Sequence, residues 1–265
     1  MKKSALETLC KRFVAPDGVC ALFNGLSEDI LSFILSHAII KNEPENAILV
    51  RQGDTPKHIY LILSGAVQTV RATPDGRETP VRLLDADETF MDAVIFMNSA
   101  SPISARTAEP TTVLMIPAPL VRKMVTQDGN FALNMLQITS SFYKKAIHQI
   151  ESVTTKSPIQ RVGYYLLNSY LERGDPGATT FRLPHRKSAI ASHLGMQPET
   201  FSRALAQIKK LGVDIDRETI TLKDVYSLCA FCDIDSARQC KKFGMPECII
   251  DSNGCLKKLT AHKIV

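Results

Sequence analysis

The chain has 265 residues, of which 45% are hydrophobic, and its 32 Lys and Arg against 27 Asp and Glu give a formal net charge of +5. This length is sufficient for two domains with separate cores. No run approaches the roughly 18 apolar residues of a membrane helix, and residues 1–18 lack the continuous apolar core of a signal peptide. We therefore expect a cytoplasmic protein with no membrane partner, whose seven cysteines are thiols or metal ligands rather than disulfides.

The positive charge is concentrated in one segment. Residues 1–155 carry 15 basic and 16 acidic side chains, a net charge of −1, whereas residues 156–223 carry 11 and 6, a net charge of +5. Residues 224–265 carry 6 and 5. An excess of this kind is typical of a surface that contacts phosphate groups of nucleic acid.

The first half of the chain has the pattern of a β-rich domain. A helix is predicted from Glu28 to His37, and short apolar runs follow it, separated by turn residues such as Gln52-Gly53-Asp54 and Pro74-Asp75-Gly76. Many short strands at regular spacing predict a sandwich or a roll. The predicted strands are Ala47–Arg51, His58–Leu63, Ala66–Ala72, Thr79–Leu84 and Thr112–Ile116.

A long helical pattern follows, from about Pro119 to Thr154. Its apolar side chains approximate a heptad seam that one polar position interrupts. Two interpretations are open, a helix packed on its own domain and a seam between two copies of the chain. The seam positions are Leu136, Thr139 or Ser140, Tyr143, Ile147 and Ile150.

Two short helices around a tight turn are predicted between Leu183 and Lys210. Gly195 lies where the turn needs a residue tolerant of positive φ, and Pro198 suits the first turn of the second helix because its missing N–H costs nothing there. The apolar positions of both helices keep helical spacing: Ile190, Ala191, Leu194, Met196, Phe201, Leu205 and Ile208.

The opposite face of the second helix carries Glu199, Ser202, Arg203 and Gln207. An Arg fork can bond both acceptors of a guanine edge, a Glu can accept from the cytosine amino group, and a Ser can bond either kind of edge. The alternative is a solvated face on which Glu199 and Arg203 form an i,i+4 pair. The turn, the apolar stripe and the basic surroundings favour DNA reading.

DNA readers of this type usually bind two half-sites as dimers, which favours the seam interpretation of the long helix. Five side chains around the two short helices are candidates for phosphate contacts that position the domain on the duplex. They are Arg186, Lys187, Ser188, Lys209 and Lys210.

In this order, the motifs resemble the CRP/FNR family of transcription regulators. Gly53-Asp54, Tyr60, Gly65 and Val67 match the family's β-roll signature, and Val213–Leu222 matches its C-terminal wing. The resemblance covers about residues 20–225. It implies an α+β protein with a cyclic-nucleotide-binding-like β-roll at 20–118, a central dimerisation helix at 119–155 and a winged helix-turn-helix at 156–225, to which a cysteine-rich tail at 226–265 is added.

The resemblance also implies a function and partners. Glu199, Ser202 and Arg203 match the FNR-type reading triad, which implies a TTGAT-like half-site in an inverted repeat rather than the TGTGA preference of CRP. The implied partners are double-stranded DNA, RNA polymerase and a second copy of the chain.

The sensory segment departs from the cyclic-AMP-binding members of the family. Those members carry a Gly-Glu-Leu segment and, about ten residues on, an Arg-Ser/Thr pair that holds the cyclic phosphate. Here the first segment, Phe90–Phe96, has Met91 in place of the glycine, and the segment Ala100–Ser104 has no arginine. Arg106 better matches a strand residue further on. A buried phosphate without a cation costs several kcal/mol, so we expect no binding of cyclic AMP.

The amino-acid sequence around Phe90 and around Gln197 resembles that of the dissimilatory nitrate respiration regulators. In those regulators, a haem in the sensory domain reports nitric oxide. His37, His58 and His148 are the histidines that precede the DNA-binding domain, and each is a candidate iron ligand. None lies in a haem motif. A lone His is more often a surface or hydrogen-bonded residue, so both interpretations stay open.

Five of the seven cysteines lie near the C-terminal end of the chain. Four thiolates can complete an iron–sulfur cluster or a tetrahedral zinc site, and the alternative is that these residues are small buried side chains. We prefer an iron–sulfur cluster to zinc because only one C-x2-C pair is present. Cys10 and Cys20 do not reproduce the tight N-terminal cluster motif of FNR. The five candidates, of which four suffice, are Cys229, Cys232, Cys240, Cys248 and Cys255.

The chain shows no nucleophile–base pair, phosphate-binding Gly loop or paired-carboxylate site, so we do not expect an enzyme. The prediction is a transcription regulator that responds to redox state, oxygen or nitric oxide through haem or an iron–sulfur cluster. The alternative is an iron–sulfur or zinc electron-transfer protein whose helix-turn-helix is structural, but an electron carrier has no use for the basic segment 156–223.

Overall fold

The fold is described for most of the chain by a computed structural model, which divides into two units between His148 and Gln149. None of the helices in the described part of the chain combines the length and the apolar content that crossing a bilayer requires. The mixed α+β class predicted from the sequence is confirmed. The described residues are 9–13, 20–97, 99–173, 178–216, 218–224 and 226–240, so Cys248 and Cys255 lie outside them.

Two antiparallel four-stranded sheets form the first unit, with strand orders β1-β8-β3-β6 and β2-β7-β4-β5. The predicted roll is thus present, and it contains three strands that the sequence pattern did not indicate, β1, β6 and β7. The strands are β1 (Ile39–Glu43), β2 (Ile48–Val50), β3 (His58–Ser64), β4 (Val67–Ala72), β5 (Glu78–Leu84), β6 (Thr89–Phe90), β7 (Ser104–Thr107) and β8 (Thr111–Pro117).

Strand β3 separates two apolar cores because successive side chains of a strand point to opposite faces. Ile59 and Leu61 pack towards the helices of this unit, whereas Tyr60 and Ile62 pack with residues of the second sheet. The ring of Tyr60 stacks on that of Phe90, with centroids 4.6 Å apart and planes 9° apart. Burial on both faces explains why β3 is a continuous apolar run rather than an alternating one.

The helical pattern from Pro119 to Thr154 forms two helices instead of the single one predicted. Helix α1 (Glu28–Ser36) precedes the roll, and α2 (Ala118–Gln127) and α3 (Gly129–Thr155) follow it. Asp128 interrupts the pattern with extended backbone, φ −130° and ψ 116°, and its Oδ1 accepts a 2.7 Å bond from the N–H of Phe131. A carboxylate in this position satisfies an orphan donor of the next helix, so α3 begins anew after the break.

The second unit is built around α4 (Pro158–Arg173), α5 (Lys187–His193) and α6 (Pro198–Lys209). A three-stranded antiparallel sheet of order β10-β11-β9 completes it. The predicted wing hairpin is formed by β10 (Val213–Asp216) and β11 (Thr219–Leu222), to which β9 (Thr180–Arg182) adds a third strand. One apolar core joins these helices and strands.

The first part of the tail packs on α4 and belongs to the second unit. Phe231, in a 3-10 turn at Cys229–Phe231, covers Gly163 so closely that a Cβ there would lie 2.3 Å from the ring. Helix α7 (Ile234–Gln239) follows, and its Ser236 Oγ donates to Asn168 Oδ1 at 2.9 Å. Lys156 Nζ lies 3.4 Å from a carboxylate oxygen of Asp233. The tail therefore begins as an ordered part of the unit that carries α6.

The contact between Gly163 and Phe231 predicts the effect of one methyl group. We expect Gly163→Ala to lower the free energy of unfolding by about 1–3 kcal/mol through overpacking, although alanine alone favours a helix by about 1 kcal/mol over glycine. Chemical denaturation of the purified protein measures this change. Gly129→Ala is the control, because nothing lies within 4 Å of its added Cβ, and equal stability of the two variants would contradict the packing described.

Candidate nucleic-acid interface

Helices α5 and α6 form the predicted helix-turn-helix. Gly195 adopts φ +64° in the turn, where its N–H donates to Ser192 O at 3.0 Å, and the N–H of Met196 donates to Ala191 O at 3.0 Å. These bonds close the C-terminal end of α5 in the manner that a glycine permits. Pro198 begins α6, as predicted.

The two faces of α6 differ completely in exposure. Its buried residues pack in the core of the second unit with α4, and its exposed residues include every side chain predicted to read DNA. No ion pair joins Glu199 to Arg203 in the described structure, so the i,i+4 pair that was the alternative interpretation is not formed. The buried set is Phe201, Ala204, Leu205 and Ile208, and the exposed set is Glu199, Ser202, Arg203, Ala206 and Gln207.

The candidate phosphate-binding side chains lie at both ends of the helix-turn-helix. Exposed Arg186 is the N-cap residue of α5, where Lys187 and Ser188 follow it. Lys210 is the exposed C-cap residue of α6. Lys209 Nζ is 3.0 Å from Asp214 Oδ1 on β10, and this hydrogen bond lowers the pKa of Asp214. Lys209 thus already has an acidic neighbour in the wing.

Two side chains that the sequence did not single out hold the C-terminal end of α5. Gln149 Nε2, on α3, donates to His193 O at 2.9 Å, and an Nη of Arg161, on α4, donates to Leu194 O at 2.9 Å. These carbonyls belong to the last turn of a helix, where acceptors have no partner within the helix. No local sequence pattern identifies such bonds, because they join residues 44 and 33 positions apart.

In the first unit, Met91 occupies the position where the family pattern has glycine. Its φ of +66° lies in the left-handed region, so the backbone keeps the glycine-like conformation although the residue has a side chain, a strained arrangement. The buried sulfur of Met91 lies 3.6 Å from the Oγ of Ser101. The side chain of Met91 therefore occupies space next to the segment that in cyclic-AMP binders holds the phosphate.

The segment around Ser101 is bonded to the loop at Gly53. Ser101 N–H donates to Asp54 O at 2.7 Å, and Gly53 N–H donates to Ser101 O at 2.8 Å, while the buried Ser101 Oγ donates to Ile103 O at 2.7 Å. Arg106 lies on β7 and pairs with Glu78 at 2.8 Å, as its match to a strand position implied. The described residues of this segment provide no cation.

Two groups of opposite charge in the first unit, the buried Asp92 and the half-buried Arg82, influence each other. Burial raises the pKa of Asp92, and Arg82 partly opposes that shift. The pKa of Arg82 is lowered by burial, with Glu88 and Asp92 opposing the change. The guanidinium of Arg82 stacks 4.3 Å above the ring of Phe142, and its nearest approach to Glu88 is 4.0 Å. Charges and an aromatic ring therefore occupy this part of the roll.

The three candidate haem histidines do not converge. His37 caps α1, and its Nδ1 contacts Phe33 O at 2.8 Å. His58 begins β3, and burial together with Lys57 lowers its pKa, which favours the neutral imidazole that a metal requires. His148 is half-buried on α3. The three histidines lie on separate elements, at the end of α1, on β3 and on α3.

The described cysteines do not assemble a metal site. Within the described ranges, no group of three or more His, Cys, Asp or Glu side chains could hold a metal ion. Cys229 begins a 3-10 turn and Cys232 follows it directly, where Cys232 Sγ donates to Asp233 O at 3.4 Å. Cys20 is buried, which raises its pKa to about 11 and makes it unreactive. The residues described do not by themselves fit a cluster or a zinc ion.

Each of the two units matches a known domain family. A cyclic nucleotide-binding domain profile matches residues 41–128, and a Crp-like helix-turn-helix domain profile matches residues 160–231. The anaerobic regulatory protein of Haemophilus influenzae is 27% identical over 201 residues, which are 73% of this chain and 77% of that protein. The transcriptional activator protein anr of Pseudomonas aeruginosa is 25% identical over 192 residues, 69% of this chain and 75% of that protein.

A solved structure shares the fold. FixK2 from Bradyrhizobium japonicum aligns with a TM-score of 0.65 at 20% identity, covering 73% of this chain and 96% of that chain. The two domain matches and the relatives together place the chain in the CRP/FNR family of transcription regulators. The helix-turn-helix match covers the part of the second unit in which α5 and α6 lie.

The exposed position of Arg203 predicts a loss of base discrimination. We expect Arg203→Ala to weaken binding to the correct site by about 1–3 kcal/mol and to relax the preference at one base pair, because a bidentate contact with guanine is lost. Titration of duplexes that differ at single positions, at fixed salt, measures both effects.

Lys210→Ala provides the contrast. Loss of a phosphate contact weakens binding about equally for all sequences and reduces the slope of log affinity against log salt by about 1. If Arg203→Ala behaved in the same uniform way, or bound every duplex like the wild type, Arg203 would not read bases.

Proposed function

We propose that the chain is a homodimeric regulator that reads FNR-like inverted repeats through Glu199, Ser202 and Arg203. The carrying observation is that α6 exposes these three side chains together while its opposite face is buried in the core. They are one turn apart at i, i+3 and i+4, and neighbours at that spacing share a helix face. A TTGAT-type half-site is the sequence that this triad implies.

Each side chain has a separate task in this proposal. Arg203 donates to O6 and N7 of a guanine, Glu199 accepts from the amino group of a cytosine, and Ser202 bonds an adjacent edge. The flanking side chains contact phosphates and orient the helix without reading sequence. Lys209 joins them when it exchanges Asp214 for a phosphate. Contact with RNA polymerase belongs to the same proposal, since a bound regulator acts on transcription. The flanking set is Arg186, Lys187, Ser188 and Lys210.

Dimerisation through α3 is supported by an apolar stripe that no part of the described chain covers. Within one copy, Leu136 is 62%, Tyr143 68% and Ile150 65% exposed. These three positions are seven residues apart. Leu133 lies three residues before Leu136 and Ile147 lies four residues after Tyr143, which is the a/d pattern of a two-stranded coiled coil. Leu133 and Ile147 are also exposed, at 56% and 47%. Such a stripe on a water-soluble helix indicates an interface.

The stripe predicts a monomeric variant. We expect Tyr143→Glu to shift the protein from dimer to monomer because a charge would be buried in the seam, and to weaken binding to an inverted repeat while binding to a single half-site changes little. Sedimentation equilibrium and duplex titration measure the two effects. Lys144→Glu is the matched control, since Lys144 is exposed on α3 outside the stripe. A Tyr143→Glu variant that remained fully dimeric would contradict the seam.

The input is proposed to be redox state, oxygen or nitric oxide rather than a cyclic nucleotide. Two observations support the exclusion of a cyclic nucleotide: the described residues 99–104 include no cation, and the side chain of Met91 lies next to that segment. The name of the Haemophilus influenzae relative, anaerobic regulatory protein, supports an input by redox state, oxygen or nitric oxide. The proposed carriers of the signal are haem, with His37, His58 and His148 as candidate ligands, and an iron–sulfur cluster on four of the five tail cysteines.

One set of measurements separates these inputs. We expect anaerobically purified protein to contain iron, with a Soret band if haem is bound, or with acid-labile sulfide and a broad visible absorption if a cluster is bound. Cyclic AMP added to the protein should leave its DNA affinity unchanged. A colourless protein that contains zinc would contradict the iron proposal, and an increase of DNA affinity with cyclic AMP would contradict the proposed exclusion of that nucleotide.

A further inference from the structure

We infer that Gln149 is a positioning residue that fixes the orientation of the helix-turn-helix relative to the end of α3. This inference rests on the proposed dimeric reading of an inverted repeat and goes beyond it. The structure supports it with the bond from Gln149 Nε2 to His193 O, 2.9 Å long and partly buried. Gln149 belongs neither to the proposed DNA-reading face of α6 nor to the apolar stripe of α3.

The turn between α5 and α6 is held from two directions. Gln149 reaches it from α3, and Arg161 reaches the adjacent carbonyl, Leu194 O, from α4 at 2.9 Å. The two acceptors are consecutive, and Gly195 with its positive φ follows them directly. Bonds to consecutive carbonyls from two helices fix both the position and the rotation of the turn, and α6 begins shortly after it at Pro198.

The surroundings leave little freedom for these bonds to be replaced. A Cβ at Gly195 would have an Nη of Arg161 at 3.9 Å and a methyl group of Val153 at 4.0 Å, so both helices pack directly on the turn. Arg161 Nε is buried and has no hydrogen-bond partner in the described structure. One nitrogen of the Arg161 guanidinium is thus buried without a hydrogen bond, which costs free energy. The hydrogen bond from its Nη to Leu194 O offsets part of that cost.

The functional consequence concerns the distance between half-sites. In a dimer held along α3, each recognition helix is carried by the end of its own α3 through this bond. The spacing between the two recognition helices then depends on Gln149, and a dimeric reader accepts only half-sites at the matching separation. Loss of the bond should therefore reduce selectivity for spacer length while leaving the reading of bases within a half-site intact.

The test compares two substitutions at one position. Gln149→Glu keeps the shape but places a carboxylate oxygen against the carbonyl, whereas Gln149→Lys keeps a donor that suits a helix C-terminus. For each variant we measure the ratio of affinities for an inverted repeat with the preferred spacer and for one with a spacer one base pair longer. Because both duplexes carry nearly the same phosphates, the effect of the added charge on non-specific binding cancels in this ratio.

We expect Gln149→Glu to reduce the ratio roughly 5- to 10-fold, the effect of one lost hydrogen bond that leaves an acceptor unsatisfied, and Gln149→Lys to preserve it. Discrimination between bases within the half-site should stay at the wild-type value in both. The control is Gln239→Glu, the same charge change at an exposed position of α7 in the same unit, and it should leave the ratio unchanged.

The outcomes separate the inference from the proposed function. An unchanged spacer ratio in Gln149→Glu, or an equal fall in Gln149→Lys or Gln239→Glu, overturns the positioning role. A wild-type protein without any spacer preference overturns the proposed dimeric reading, and with it this inference. Should Gln149→Glu fail to fold, Arg161→Met compared with Arg161→Lys applies the same test to the second bond, and equal ratios for those two variants overturn the inference.

Discussion

The burial of the apolar stripe of α6 is the constraint on which the DNA-reading surface depends. Phe201, Leu205 and Ile208 are buried in the core of the second unit, which α4 also lines. A helix with one face held in this way has no rotational freedom, so the residues between the buried ones must face solvent. The exposure of the proposed reading triad therefore needs no separate structural device, because it follows from the same contacts that stabilise the domain.

The first unit keeps one backbone feature of the family pattern without the cation that a cyclic phosphate needs. Met91 has a left-handed backbone where that pattern has glycine, and the described residues 99–104 provide no cation. Asp92 is buried close enough to Arg82 to feel its charge, and Arg82 stacks on Phe142 of α3. The stacking of Arg82 on Phe142 connects the roll directly to the helix that carries the apolar stripe.

The sequence predicted the strands that have strong local patterns and missed those that depend on pairing. β3 is a run of buried apolar residues and β4 follows a clear turn, whereas β1 alternates poorly in burial and β6 has two residues. Those strands exist because β8 and β3 offer them hydrogen-bond partners, which no local pattern reveals. The break at Asp128 had a signal, Asp followed by Gly, but the helical periodicity on both sides concealed it.

The residues of the candidate site were likewise predictable only where they form a local pattern. The turn glycine, the proline at the start of α6 and the exposed triad were predictable because they lie close together in the chain and follow helical spacing.

Gln149 and Arg161 were not predictable, because their acceptors lie 44 and 33 residues away. A hydrogen bond over that distance in the chain depends on the packed arrangement of three helices, and neither donor stands out by its residue type. The metal ligands proposed for the tail stay predictions, since Cys248 and Cys255 lie outside the described residues.

The fit of Phe231 over Gly163 has a consequence for where the DNA-binding domain ends. A chain shortened before Leu228 would lose a side chain that is buried in the domain core. It would also lose Phe231, and the apolar surface of α4 around Gly163 would be exposed to solvent. The buried part of the second unit therefore extends through Ala237, which is fully buried. Cys229 and Cys232 lie inside that limit, on the two sides of Phe231 in the chain. Any ligand that these two thiols acquire is consequently attached to the folded domain itself rather than to an appendage beyond it.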